Sequence, residues 1–147
     1  MIIKRFQQLL ALCCMGLFLA NCGGGKQEAE DEIPDVDPMT NLGIGPVKSL
    51  ELGELDQAMA DEGKKLYDAK CTACHNIKTK MIGPPQAGVL DRRTPEWVMN
   101  MIINPSEMIK KDPTARHLLK EFNNVPMTEQ GVTEEEARKI LEYFRTM

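Results

Sequence analysis

The chain is poor in the residues from which most metal and catalytic sites are built. It has two histidines, one tryptophan and two tyrosines in 147 residues, and no cysteine follows Cys74. A structural zinc site wants a second ligand pair, which the region after Cys74 lacks. No run between residues 56 and 147 alternates convincingly between apolar and polar side chains, so a sheet is not expected. That also removes the βαβ setting in which a thioredoxin-like dithiol works. No apolar stretch reaches the roughly 20 residues of a membrane-spanning helix. The longest, residues 9–20, has twelve.

What is present at the N-terminus is a processing signal. Lys4 and Arg5 precede the apolar run, which stops at Asn21-Cys22 and three glycines, the layout of a secretory signal peptide over residues 1–21. Leu19-Ala20-Asn21-Cys22 resembles the lipobox of bacterial lipoproteins, with Asn21 standing where Gly, Ala or Ser is usual. Ordinary cleavage wants small residues at both ends of an A-x-A-like site, and the bulky Phe18 fits that worse. The mature chain is therefore expected to begin at a lipidated Cys22, anchored on the periplasmic side of the inner or outer membrane of a cell envelope. Of five cysteines, Cys13 and Cys14 would leave with the signal.

From residue 22 to about residue 55 the composition turns to glycine, proline and acid, with eight acidic residues against Lys26 and Lys48. Such a segment reads as a disordered or loosely draped tether. Residues 56–147 then hold 14 basic and 14 acidic residues, so the net charge of −4 belongs to the N-terminal third. Lys64, Lys65, Lys70, Lys78, Lys80, Arg92 and Arg93 crowd one region, and Glu134, Glu135 and Glu136 lie far from it in sequence.

That basic region surrounds Cys71-Thr72-Ala73-Cys74-His75. Two thiols three positions apart can each add to one vinyl group of a haem, and a histidine directly after the second can turn its ring to the iron. One covalent haem c is expected here, held by Cys71 and Cys74 with His75 as iron ligand. A buried haem would also give a domain of about 90 residues something apolar to pack around.

The rest of the domain reads as helix and loop. Asp56 caps a helix to about residue 69, in which Gly63 and Tyr67 stand one turn apart and form a notch suited to a crossing helix. Gly83-Pro84-Pro85 bars regular structure. Thr94-Pro95-Glu96 opens a helix that Asn104-Pro105 closes, Asp112-Pro113 opens another over residues 113–122, and Thr133-Glu134-Glu135-Glu136 is a capping box leading to Ala137, Ile140, Leu141 and Phe144.

With the motif placed between helices, the chain from about residue 56 to residue 147 resembles the small monohaem class I cytochromes c of respiring bacteria. CTACHNIKTKMIGPPQAGV resembles their attachment segment and VPMTEQGVTEEEARKILEYF their ligand loop and last helix. The resemblance implies an all-α fold wrapped around one covalent haem, with Gly63 and Tyr67 meeting the last helix near Leu141 and Phe144. It also implies that the Pro84 carbonyl accepts from the second ring nitrogen of His75, a bond that fixes ring orientation and ligand basicity. The stretch from about residue 107 to residue 124 is longer than the family pattern, and its role is open.

For the second axial position Met127 is the first candidate. Pro126 holds its approach extended, and the 52 positions from His75 leave chain enough to wrap a ring. The family's ligand methionine falls at the matching place. His117 is the alternative, while Met59, Met99, Met101 and Met108 lie in helical patterns suited to a core, and Met81 follows His75 too closely. Trp97 is either a contact to a haem propionate or a plain core aromatic.

The expected function is a carrier of single electrons between respiratory proteins outside the cytoplasm. The resemblance implies a quinol-oxidising complex as donor and an oxidase or a nitrite or nitrous-oxide reductase as acceptor. A monomer is expected, and no nucleic-acid partner. The rival reading is an open-haem, peroxidase-like enzyme or gas sensor.

Overall fold

The computed structural model describes residues 37–147; the signal peptide, Cys22 and the first part of the expected tether lie outside them. Four of the five α-helices among the described residues begin where a short polar side chain takes an orphaned N–H. Asp56 accepts from Met59 N at 3.0 Å to open α1, Gln57–Lys70. Thr94 accepts from Trp97 N at 3.1 Å to open α2, Pro95–Ile103. Asp112 accepts from Ala115 N at 2.8 Å to open α4, Pro113–Glu121. A complete capping box between Thr133 and Glu136 opens α5, Glu134–Phe144. A short 3-10 turn, Val89–Asp91, precedes α2. No strand occurs among the described residues.

One helix departs from the expected set. Asn104-Pro105, expected only as a stop, also starts α3, Pro105–Lys111. Proline cannot continue a helix but suits its first position, where the missing N–H has no partner to lose. Asn104 ends α2 and begins α3, so the chain turns a corner without a loop. The long stretch 107–124 thus becomes the end of α3, all of α4 and a turn at Asn123 and Asn124, both with left-handed backbone (φ 60° and 57°).

The frame is the crossing of α1 and α5 at Gly63. A Cβ built on Gly63 would stand 1.9 Å from the carbonyl oxygen of Lys139 and 3.0 Å from the nitrogen of Ile140. Backbone meets backbone there, which explains the mid-helix glycine. One turn on, the Tyr67 ring lies against Phe144 edge-on at 5.7 Å and against Tyr143 at 5.6 Å. Ala137, Ile140 and Leu141 of α5 are fully buried behind it.

Glu142, also buried, faces the start of α1 and accepts from Asp56 N at 2.8 Å, from Arg145 at 2.7 Å and from Arg138. Burial alone would raise its carboxyl pKa, but the Asp56 N–H and the two guanidinium groups outweigh it and hold the pKa low. Arg145 also donates to the Gly53 carbonyl at 2.8 Å.

Residues 41–50, within the segment expected as a tether to residue 55, pack as a strap across α2, α3 and α4. The buried Asn100 is its hub: its amide donates to the Leu42 and Val47 carbonyls, each at 2.8 Å, and its oxygen accepts from Val47 N at 3.0 Å. Asn41 donates to Asp112 at 2.8 Å, and Leu50 N donates to Glu96 at 2.9 Å. Gly43, at φ +73°, lies against Met108 and Trp97, and Gly45 lies on Asn100. Composition alone hid the strap, because its partners are polar and its glycines serve close approach.

The Gly63 crossing carries a direct prediction. Gly63→Ala places a methyl group into a main-chain carbonyl that cannot move without shifting α5, so it should cost about 2–3 kcal/mol. An unobstructed helix position would instead gain about 1 kcal/mol from the same change. Denaturant unfolding of the haem-loaded protein measures the difference; a neutral or stabilising effect would contradict the crossing.

Candidate functional site

The C-x-x-C-H run begins at the last turn of α1. Cys71 is the C-cap, its N–H donating to the Tyr67 carbonyl at 2.9 Å. The Cys71 carbonyl then accepts from Cys74 N at 3.1 Å and His75 N at 2.9 Å, and Thr72 ties its hydroxyl back to the Asp68 carbonyl at 2.8 Å. The chain therefore winds one further turn, and Cys71, Cys74 and His75 all line the same cavity.

A C-x-x-C at a helix C-terminus is badly placed for redox work, since the negative end of the helix dipole opposes a thiolate. Burial pushes the Cys71 thiol up to about 11, against the lowering effect of Lys70, with neighbouring Cys74 raising it further. Such a thiol stays protonated near neutrality. Among the described residues no three His, Cys, Asp or Glu side chains converge as metal ligands.

His75 is fixed on its far side. Nδ1 lies 3.0 Å from the Pro84 carbonyl oxygen, and with the proton there Nε2 keeps its lone pair for a metal. Gly83 supports the ring: a Cβ on it would fall 2.3 Å from His75 Cε1. Gly83 N donates to the Cys74 carbonyl at 2.9 Å, so the loop and the motif are bonded as one piece. Gln86 reaches into the same spot, its amide nitrogen 2.9 Å from the Pro84 oxygen and 2.8 Å from His75 Nδ1.

The cavity measures about 360 Å³. Trp97, Val98, Met101 and Ile102 of α2 wall it, with Ala115, Leu118 and Leu119 of α4 and Ile140 and Phe144 of α5. Val125, Pro126, Met127 and Thr128 complete it from the loop before α5, and Lys70 holds that loop by donating to the Gln130 carbonyl at 3.2 Å. The extended 107–124 stretch thus supplies one wall. No Asp or Glu is among the lining residues, and His75 is the one histidine there.

Met127 and Met101 are the methionines on the cavity. Met99 and Met108 are core residues, Met81 is 45% exposed, and Met59 is half-buried rather than central. His117 is exposed on α4 and is not a lining residue. Met101, expected in the core, is the difference: a helical pattern cannot distinguish a core from a cavity wall.

Trp97, open in sequence between a propionate contact and a core aromatic, lines the cavity, and its indole N–H donates to Asp112 at 3.1 Å. Arg93, counted from sequence only as part of the basic rim, lies in the cavity wall with its guanidinium 5.4 Å from the Trp97 ring. Its buried Nε has no partner, as is also true of the Tyr67 hydroxyl. Burial and the neighbouring Arg92 pull the Arg93 pKa down, while Asp112 and Glu121 push it up.

Two thiols, an imidazole and two thioethers around an apolar cavity, with the Arg93 Nε lacking a partner at its wall, suit a haem. The apolar walls would take the macrocycle, and Arg93 would complement its acidic edge. An all-helical chain with this donor set defines a covalent haem protein.

Residues 60–147 match the family model for cytochrome c. Cytochrome c-551 of Stutzerimonas stutzeri is 31% identical over 98 residues, covering 63% of this chain and 84% of its own. The structure of a cytochrome c from Rhodothermus marinus superposes with a TM-score of 0.67 at 43% identity, over 69% of this chain and 88% of that one. A cytochrome c domain from Pseudomonas putida shares the fold, with a TM-score of 0.53 at 24% identity, over 57% of this chain and 85% of its own. The chain belongs to the cytochrome c family. It binds haem c covalently and is a monohaem electron carrier.

Proposed function

We propose that Cys71 and Cys74 form the two thioether bonds, that His75 and Met127 are the axial iron ligands, and that the protein passes single electrons between respiratory partners at a membrane surface. Cys71 and Cys74 would each hold the haem by addition of the S–H across a vinyl double bond, with no atom lost. Haem c supplies the one-electron ferric/ferrous couple, and every remaining task falls to the chain. His75, held by Pro84, gives a fixed imidazole. Met127 gives a thioether from the opposing loop, a soft ligand that favours the ferrous state and raises the potential.

The observation that carries this reading is the cavity wall. It holds His75 and Met127 and no carboxylate or second histidine to serve as acid or base, and an open-haem peroxidase needs such a group to move protons. Carrier function needs none.

Partner docking rests on surface chemistry. Lys65 and Lys78 are exposed. Lys64 is neutralised by Asp68, Lys70 is tied to Gln130, Lys80 lies 4.2 Å over the Phe122 ring, and Arg92 binds the Ala87 and Pro85 carbonyls. The basic rim is therefore partly committed to holding the fold. Lys65, Lys78 and the exposed apolar Met81 and Ile82 favour an acidic partner patch with an apolar centre. A quinol-oxidising complex as donor and an oxidase, nitrite reductase or nitrous-oxide reductase as acceptor fit that chemistry. Lipidation at Cys22, outside the described residues, would hold a monomeric carrier beside such complexes on the periplasmic side of the inner or outer membrane and raise its local concentration.

Met127→Ala should abolish the sulfur-to-iron charge-transfer band of the oxidised protein, while Met101→Leu should leave it intact. A band that survives the first change, or is lost with the second, would contradict the ligand assignment. Electron-transfer rates to purified oxidases and reductases should fall at least tenfold between low and high ionic strength for the true acceptor. Rates independent of salt with every acceptor would count against electrostatic docking.

A further inference from the structure

The contact around the Pro84 carbonyl contains one more donor than an axial histidine requires. Three atoms form a near-equilateral triangle: His75 Nδ1 to Pro84 O, 3.0 Å; Gln86 Nε2 to Pro84 O, 2.9 Å; and Gln86 Nε2 to His75 Nδ1, 2.8 Å. Once His75 Nε2 is on iron, Nδ1 must carry a proton, and the acceptor it meets is the Pro84 oxygen. A carbonyl oxygen has two lone pairs, and the Gln86 amide takes the second.

Two donors on one oxygen compete, because each draws electron density from the acceptor and weakens it for the other. Either amide orientation leaves one like pair: turned over, Gln86 Oε1 would face the Pro84 oxygen at 2.9 Å while accepting from Nδ1–H, whereas the orientation in the structure sets Nε2 2.8 Å from Nδ1 and gives the Pro84 oxygen two donors. In the orientation observed, the positive end of the amide dipole also stands beside the imidazole.

Gln86 is not positioned by chance. Its backbone N–H donates to the Asn76 carbonyl at 3.2 Å, and Ala87 N donates to the Ile77 carbonyl at 2.8 Å. Arg92 braces the same turn through the Ala87 and Pro85 carbonyls at 3.0 and 3.3 Å. The side chain is therefore delivered to the histidine by the segment that follows the motif.

We propose that Gln86 is a positioning residue that sets the reduction potential by sharing the Pro84 carbonyl with His75. The inference rests on His75 as axial ligand. A weaker Nδ1–H···O bond makes the imidazole less basic, so it stabilises the ferric state less and the potential rises. The amide dipole acts in the same direction, since its positive end opposes charge on the ferric centre.

Gln86→Leu keeps a side chain of similar size and removes the donor. In the haem-loaded protein a redox titration should show a lower potential than wild type. Proton NMR of the ferrous form should show the His75 Nδ1–H resonance moved downfield, as its hydrogen bond strengthens. The charge-transfer band of the oxidised form should be unchanged. Should the leucine variant fail to load, Gln86→Asn removes the same contact by shortening the side chain. A purely structural Gln86 would lower the melting temperature and leave the potential alone, which would overturn the proposal. A raised potential would also overturn it, because it would mean that the amide oxygen faces the ring. Absence of an iron-bound imidazole N–H signal in the wild type would fail the axial assignment instead, so the two failures are distinct.

Discussion

A histidine serves as a fixed Lewis base only when its far nitrogen is committed, and here the commitment is the hydrogen bond from His75 Nδ1 to the Pro84 carbonyl at 3.0 Å. Much of the molecule serves that contact. The last turn of α1 delivers Cys71, Cys74 and His75 together, and Gly83 brings the loop near enough for Pro84 to reach the ring. A side chain at residue 83 would drive the imidazole out of the bond. In the proposed site the covalent thioethers would hold the haem in place, and the orientation and basicity of a His75 ligand would come from this carbonyl.

The scaffold behind the contact depends on close backbone approach more than on a large apolar core. α1 and α5 touch at Gly63, and Glu142 joins the start of α1 to the end of α5 through one N–H and two guanidinium groups. On the other side the strap at residues 41–50 covers Trp97, Asn100 and Met108, giving a thin domain a second polar network. Asp112 joins these regions, since it caps α4, holds the Trp97 indole and receives Asn41. The haem cavity lies between the two reinforced faces and is closed by the loop carrying Met127.

Much of this was legible because the signals are local. Proline after a short polar residue marked α2 and α4, the Thr133 capping box marked α5, and the spacing of Gly63 and Tyr67 announced the crossing before its partner was known. What sequence missed depends on distant partners. Asn104-Pro105 read as a stop because nothing nearby says whether the chain continues as a new helix. The strap read as tether because its glycines and proline lack a period, and its buried hub, Asn100, is 53 residues away from Val47. Trp97 found Asp112 15 residues on, a pairing no pattern specifies. Arg93 counted as surface charge until the fold turned it toward the cavity, and Gln86 carried no motif at all.

A protein that relays electrons through a closed haem differs from one that works on small molecules in whether both axial positions are held. His75 and Met127 on one cavity, without a carboxylate or second histidine beside them, support the proposed closed case. Carbon monoxide added to the reduced, haem-loaded protein at neutral pH tests this most directly. The account predicts little binding, because the Met127 sulfur must first be displaced; rapid stoichiometric binding would contradict it.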